Sequence, residues 1–312
     1  MKKALVLLNM GGPNNLAEVE LFLKNMFNDK HILSMPKAIR KFVAGTITTL
    51  RVEKAQEIYR ELGGKSPLVD YTNTLISALE KEFDDTLVLS AMRYTPPFAN
   101  EAVEKIKEHD IKHIYLFPMY PHHSTTTTSS SVEDFLEQLE LAHVDITTTI
   151  IGNYFQNSFL NEGIIDSIKK ALDKDDEHSI DLIFSAHGLP KKIIEKGDLY
   201  QGHIEAHVAL LKKALKKAGL FFNSVSLAYQ SKVGPMEWIG PSLEDSLEHL
   251  KSGKHAMIYP IAFTIDNSET EHELQIEYKE IAQEFGYEYY KVVPTLNDHP
   301  LFVQAIKDII EN

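Results

Sequence analysis

The sequence predicts an α/β fold of two doubly wound lobes, each a parallel four-stranded sheet with helices on both faces. Three observations carry that prediction. Eight short apolar runs recur along the chain, as strands buried on both faces do. Segments with a 3.6-residue apolar period lie between them, and strand–helix alternation winds a parallel sheet. A length of 312 residues holds two domains at about 150 residues each.

In chain order, the first four strand candidates are Lys3–Asn9, Thr86–Met92, His113–Pro118 and Asp145–Ile151. The second four are Asp181–Ala186, Ser224–Tyr229, His255–Pro260 and Glu288–Val292. Eight strands can also close a barrel, but the pattern divides better into two sets of four. Leu68–Phe83 reads as a helix with Tyr71, Leu75, Ala78 and Leu79 on one side. Phe159–Leu172, His203–Ala218, Ser268–Phe285 and Pro300–Ile310 read as further helices. The polar stretch Asp173–Ser179 breaks the pattern before the fifth strand. The expected lobes are 1–150 and 151–297, facing each other across a cleft, with the C-terminal helix 298–312 joining the first. No close sequence repeat relates the halves. In such sheets ligands bind beyond the carboxyl ends of the strands, so chemistry is sought there.

Composition excludes several classes. With 32 basic and 45 acidic residues the formal charge is 32 − 45 = −13. Nucleic acid is therefore not the expected partner, because phosphate binding needs concentrated Lys and Arg. Cysteine is absent, which removes disulfides, thiolate catalysis, Cys-bound zinc and Cys-ligated iron–sulfur clusters. A metal handled here falls to His, Asp and Glu. The apolar run Ala4–Leu8 is too short for a secretory signal, and no stretch reaches the ~20 apolar residues of a membrane span. A soluble, cytoplasmic protein is expected, with peripheral membrane contact open.

The strand ends carry the candidate chemistry. Strand one runs into Leu7–Pro13, LLNMGGP, where two glycines allow a tight turn or close approach to a ligand. The three spaced glycines of a nucleotide fingerprint are missing. Strand three runs into a Ser/Thr run ending at Ser131, which reads as a loop, a helix cap or a supply of hydroxyls to an anion. His122 and His123 are adjacent, so on extended backbone they point apart and do not share a metal. Strand five runs into FSAHGLP, which places His187 at the sheet edge, suited to act as base or metal ligand. Strand six leads to Trp238, the one tryptophan, either packing or a flat wall for a planar ligand. After strand seven, Glu269, Glu273 and Glu277 recur every four residues on one helix face. That row reads as a solvated acidic face, as oxygen ligands guiding a divalent cation, or as the seat of a general base.

Taken together these motifs resemble the ferrochelatase family, which inserts ferrous iron into a porphyrin. The resemblance spans nearly the whole chain. It rests on LLNMGGP, YRELGGKSPL (Tyr59–Leu68), MRYTPPF (Met92–Phe98), Tyr120–Ser131, FSAHGLP, YQSKVGPMEWIGP, AFTIDNSETEHELQIEY and LNDHPLF (Leu296–Phe302), in that order. It implies a chelatase-like fold of two Rossmann-like or flavodoxin-like lobes. It implies His187 and Glu269 as catalytic residues, and His187, Glu269, Glu273 and Glu277 as the metal-handling set. It implies a porphyrin held by Met10, Arg51, Tyr59, Ser66, Arg93, Tyr120 and Trp238. Substrates would be protoporphyrin IX and Fe(II), with no tightly bound cofactor and no iron–sulfur cluster. A monomer or weak dimer is expected. Two departures stand out: Asn267 replaces a histidine common two residues before the glutamate, and His122-His123 replaces a common Gln-Tyr.

The expected mechanism bends the macrocycle so that its nitrogens tilt out of plane, at a strain of ~1–5 kcal/mol drawn from binding. Neutral His187 then accepts a pyrrole proton and Glu269 stabilises the charge. Imidazole and carboxylate release Fe(II) more readily than thiolates. The loop type at Leu7–Pro13 and the segment Phe27–Arg51 resemble the branch of the family that uses protoporphyrin IX rather than coproporphyrin III, which is what makes protoporphyrin IX the expected substrate. In that segment Ile32, Leu33, Met35, Ile39, Phe42 and Val43 form either an apolar lip touching a membrane or an ordinary amphipathic helix. A cobalt or nickel chelatase and a non-enzymatic two-lobed porphyrin binder are the alternative readings.

Overall fold

The computed structural model describes residues 2–172, 177–232, 234, 236–250 and 254–311. The chain divides into two compact units. The first runs to Asn153 and takes in Ile310 and Glu311; the second is Tyr154–Ile309.

The first unit contains β1 (Lys3–Asn9), α1 (Glu18–Phe27), α2 (Lys37–Glu61), α3 (Leu68–Leu79), β2 (Thr86–Met92), α4 (Ala99–Glu108) and β3 (His113–Pro118). A π-helical turn at Thr125–Ser129, α5 (Ser130–Leu141) and β4 (Thr147–Ile150) complete it. Its strands are all parallel in the order β2-β1-β3-β4. Burial on both faces explains the strand sequences: Ala4 to Leu8 are buried without a break. One core packs Ala4, Val6, Ile114 and Leu116 of the sheet against Val103, Ile106 and Phe135 of α4 and α5. On α3 the buried stripe is Leu68, Thr72, Leu75 and Leu79, so Thr72 replaces Tyr71 and Ala78 in the expected face. The apolar period did not single out α1, α4 or α5, and α2 was one of two readings of Phe27–Arg51. On α2 the reason is visible: Ile39, Phe42 and Leu50 are exposed, and only Ala44, Thr48 and Tyr59 are buried.

The second unit contains α6 (Ser158–Leu172), β5 (Asp181–His187), α7 (Lys191–Glu195), α8 (Tyr200–Lys217), β6 (Ser224–Gln230), α9 (Leu243–His249) and β7 (His255–Pro260). A π-helix at Glu269–Glu277 continues into α10 (Tyr278–Glu284), followed by β8 (Tyr289–Val292) and α11 (Pro300–Glu311). The order β6-β5-β7-β8 repeats the topology of the first sheet, again all parallel. In each sheet the winding reverses direction between the first and third strand, and ligands favour such a switch point. Of the polar break at 173–179, residues 173–176 lie outside the described residues and Glu177–Ser179 form a short 3₁₀ turn.

Two expectations change. Helix α11 is held in the second unit up to Ile309 rather than joining the first. Asn157 Nδ2 donates to Asp308 Oδ2 at 2.8 Å, and His299 Nε2 pairs with Asp166 Oδ2 of α6 at 2.9 Å. The helix expected at Ser268–Phe285 is π-helical over its first half, with one residue more in each hydrogen-bonded ring than an α-helix has.

Candidate active site

The candidate site stands at the switch point of the second sheet. Strand β5 ends on His187, and β6 ends on Gln230, its register partner. Strand β7 leads through a loop to the π-helix that begins at Glu269. The Nδ1 atom of His187 lies 2.7 Å from Glu269 Oε2. A carboxylate only accepts, so Nδ1 carries the proton and Nε2 is the ring's working nitrogen. Tyr200 donates its hydroxyl to the His187 carbonyl at 2.9 Å, which ties down the backbone beneath the ring. Gly188 is required there, because a Cβ would lie 2.8 Å from the Gln230 carbonyl and 3.3 Å from the Trp238 ring.

Glu273 stands beside Glu269, and the two share donors. Ser231 Oγ reaches Glu273 Oε2 at 2.7 Å and Glu269 Oε2 at 3.3 Å. Gln230 Nε2 reaches the same two atoms at 3.3 and 3.5 Å. Glu277 does not join this group; it is exposed, with an oxygen 3.6 Å from His272 Nδ1. The acidic row is therefore two carboxylates in the site and one at the surface.

The electrostatics follow from these distances. Burial pulls the His187 imidazole down, but the charge and hydrogen bond of Glu269, with help from Glu273, outweigh it and hold the ring up at about 9. That elevation favours the imidazolium at neutral pH, where the sequence reading expected a neutral ring. Burial pushes the Glu273 carboxyl up, and the neighbouring Glu269 charge adds to that; Ser231 and His187 oppose it.

Asn267 stands where the family resemblance expects a histidine. It is buried, its Oδ1 accepts from the Glu269 amide at 2.8 Å, and its own amide donates to Thr270 Oγ1 at 2.9 Å. It caps the π-helix. Just before it, Asp266 Oδ2 accepts from Asn297 Nδ2 at 2.7 Å while Asn297 Oδ1 accepts from the Asp266 amide at 2.9 Å.

The remaining candidates, Trp238 apart, belong to the first unit. Met10 is half-buried beside the cluster of Val19, Phe22 and Leu23 that also contains Tyr59. Ser66 is buried; its amide donates to the Pro13 carbonyl at 2.8 Å, and a Cβ on Gly12 would lie 2.5 Å from its side chain. Gly11 adopts φ +84°, and a Cβ there would lie 2.4 Å from Thr95 Oγ1. The glycine pair therefore lets the loop close on Thr95 and Ser66. Arg51 is exposed, with its guanidinium 5.8 Å from the centre of the Phe27 ring. Tyr120 is buried, and burial pushes its phenol well above the ordinary range. In the second unit, Trp238 is half-buried and its indole Nε1 has no partner among the described residues.

Arg93 is the most engaged of these. Its Nε donates to Ser130 Oγ at 2.9 Å, and its terminal nitrogens lie 3.3 Å from Asp29 and 3.2 Å from Asp134. Asp29 is buried and also accepts from the hydroxyls of Tyr94 and Ser130. Two carboxylates thus neutralise the guanidinium within the first unit. Sequence reading missed Asp29, Gln230 and Ser231. Gln230 and Ser231 lie inside a quoted motif, yet neither titrates near neutrality, so neither drew attention.

Solved structures of low sequence identity share the fold. SirB of Bacillus subtilis, described with Fe3+, matches with a TM-score of 0.57 at 11% identity, over 100% of this chain and 95% of that one. CbiX, described as the terminal enzyme of sirohaem biosynthesis in denitrifying bacteria, matches at 0.52 and 12% identity, over 100% and 98%. The fold is that of the chelatases. The ferrochelatase profile matches residues 2–312, and ferrochelatases of high identity match over nearly the full length. That of Sulfurimonas denitrificans is 51% identical, over 99% of this chain and 98% of the relative. That of a Nitratiruptor species is 50% identical over 99% of each, and that of Campylobacter fetus is 48% identical over 98% of each. The chain belongs to the ferrochelatase family.

Proposed function

We propose that the chain inserts Fe(II) into protoporphyrin IX, releasing two protons and forming protohaem, the last step of haem biosynthesis. The observation that carries this is the His187–Glu269 pair at 2.7 Å, backed by Glu273, at the switch point of the second sheet. His187 and Glu269 are the catalytic residues of this reading, and Glu273 extends the metal-handling set; Glu277, at the surface, lies outside the hydrogen-bonded group.

The chemistry needs a place for a dication and a route for two protons. Nε2 of His187 faces away from Glu269 and serves the substrate. The ring's extra proton must leave before Nε2 can accept one from a pyrrole or bind iron, and an approaching dication favours that loss by repulsion. The carboxylates of Glu269 and Glu273 receive protons and lower the energy of the cation. Met10, Arg51, Tyr59, Ser66, Arg93, Tyr120 and Trp238 hold the macrocycle in this reading. The Asp29 and Asp134 contacts of Arg93 make it a neutralised partner rather than a free cation.

The exposed row Ile39, Phe42 and Leu50 on α2 supports peripheral membrane contact and an apolar porphyrin. No described helix is long and apolar enough to cross a membrane. The chain acts in the cytoplasm, at times at the membrane face, as a monomer or weak dimer.

The test is anaerobic mixing of the protein with protoporphyrin IX and Fe(II). Haem absorbance should rise at catalytic protein concentration, and His187→Ala should reduce the rate by about 10²-fold or more while porphyrin still binds. A faster rate with coproporphyrin III, or with Co(II) or Ni(II), would replace the substrate assignment. A stoichiometric porphyrin spectrum without turnover would leave a binding protein.

A further inference from the structure

Gln230 is a buried polar side chain beside the pair, and both ends of its amide are hydrogen-bonded. Its two N–H donors face two acceptors, Glu269 Oε2 and Glu273 Oε2, at 3.5 and 3.3 Å. Its carbonyl oxygen accepts from Ser185 Oγ at 2.7 Å. Ser185 is itself wholly buried, on β5 two residues before His187 and so on the same sheet face. The two carboxylates, which only accept, decide which way the amide points, and the Ser185 hydroxyl anchors its oxygen. Flipped, the amide would set its oxygen lone pairs against two carboxylates and leave only the Ser185 hydroxyl to accept from its donors. The backbone reinforces the placement, because the Gln230 carbonyl accepts from the Gly188 amide at 2.9 Å.

We infer that Gln230, anchored by Ser185, is a positioning residue for iron insertion: it holds Glu269 and Glu273 side by side behind His187. Two adjacent carboxylates repel, and without a shared donor they would part or rotate. Ser231 has one hydroxyl proton and is closest to Glu273, so it cannot satisfy both acceptors. The Gln230 amide bridges them. This inference rests on the proposed iron insertion.

The experiment compares wild type, Gln230→Leu and Ser185→Ala in anaerobic Fe(II) insertion, with porphyrin binding followed by fluorescence and folding by melting temperature. Gln230→Leu keeps the volume and removes the bridge. Its kcat should fall about 10–100-fold, the loss typical of a misplaced catalytic group, with porphyrin affinity unchanged within about twofold. Ser185→Ala keeps the amide but removes the anchor of its oxygen, so a smaller fall in kcat, again without loss of porphyrin affinity, is expected. A Gln230→Leu protein that melts like wild type and turns over at the wild-type rate overturns the inference. So does a loss confined to porphyrin affinity. If Gln230→Leu fails to fold, Ser185→Ala decides: an unchanged kcat overturns the inference. A wild type that forms no haem is a failure of the proposed function, a distinct result.

Discussion

Glu269→Gln isolates the charge that sets the His187 proton. Gln can still accept from Nδ1 through its side-chain oxygen, so the 2.7 Å contact can persist while the charge goes. Burial is the largest influence on the ring and acts downward; Glu269 is the main influence upward, with Glu273 third. The net elevation is from 6.5 to about 9, that is 9 − 6.5 = 2.5 pH units. With Glu269 neutral, burial outweighs what Glu273 supplies. His187 should then titrate at or below about 6.5, a fall of at least about 2.5 units. At pH 7.5 the ring changes from mostly imidazolium to mostly neutral. NMR titration of the ring, assigned by difference from His187→Ala, reads this directly. The sign also governs stability. A histidine raised in the folded state stabilises fully below its unfolded value and loses that contribution as pH rises through about 9. Glu269→Gln should flatten the stability change between about pH 6.5 and 9. A wild-type His187 titrating near 6.5, or a variant still titrating near 9, would refute the reasoning.

Two further outcomes test other parts of the molecule. Gly12→Ala should destabilise by about 1–3 kcal/mol in urea unfolding, because the new Cβ would stand 2.5 Å from the Ser66 side chain; an unchanged midpoint would show that the loop yields freely. His207 is wholly buried, with its Nε2 2.8 Å from Asn161 Oδ1, and burial drives its ring down to about 3. The unfolded ring binds its proton near 6.5, so stability should fall as pH drops from there toward 3. By pH 4.5 that loss amounts to about 2–3 kcal/mol, at ~1.4 kcal/mol per pH unit. His207→Gln should remove that fall; equal acid sensitivity in both proteins would place the titrating group elsewhere.

Much of this protein was legible in its sequence because burial leaves a local mark. Strands covered on both faces must be apolar throughout, so Lys3–Asn9 and His255–Pro260 read correctly to the residue. His187 drew attention because a titrating group at a strand end is rare enough to notice, and strand ends are where parallel sheets place ligands; Glu269 was singled out as its partner by the family resemblance. Helix α2 was less legible, because its apolar residues do not share one buried face. Predicted strand five stopped at Ala186 and strand six at Tyr229, each one residue short of the end that matters.

What tertiary structure alone decided is which of these residues meet, and in what state. The parallel register sets Gln230 beside His187 across 43 residues of chain, a proximity no local pattern encodes. The π-helix shares its residue types with an ordinary amphipathic helix, and the Asn267 cap and Asp266–Asn297 pair at its start join residues far apart in the chain or hidden from any periodic pattern. Glu277 continues the acidic spacing yet stays at the surface, because spacing fixes neighbours along a helix and not what the helix packs against. The His187 proton is likewise a property of the assembled site: a 2.7 Å carboxylate and partial burial set it, and neither exists until the sheet has formed.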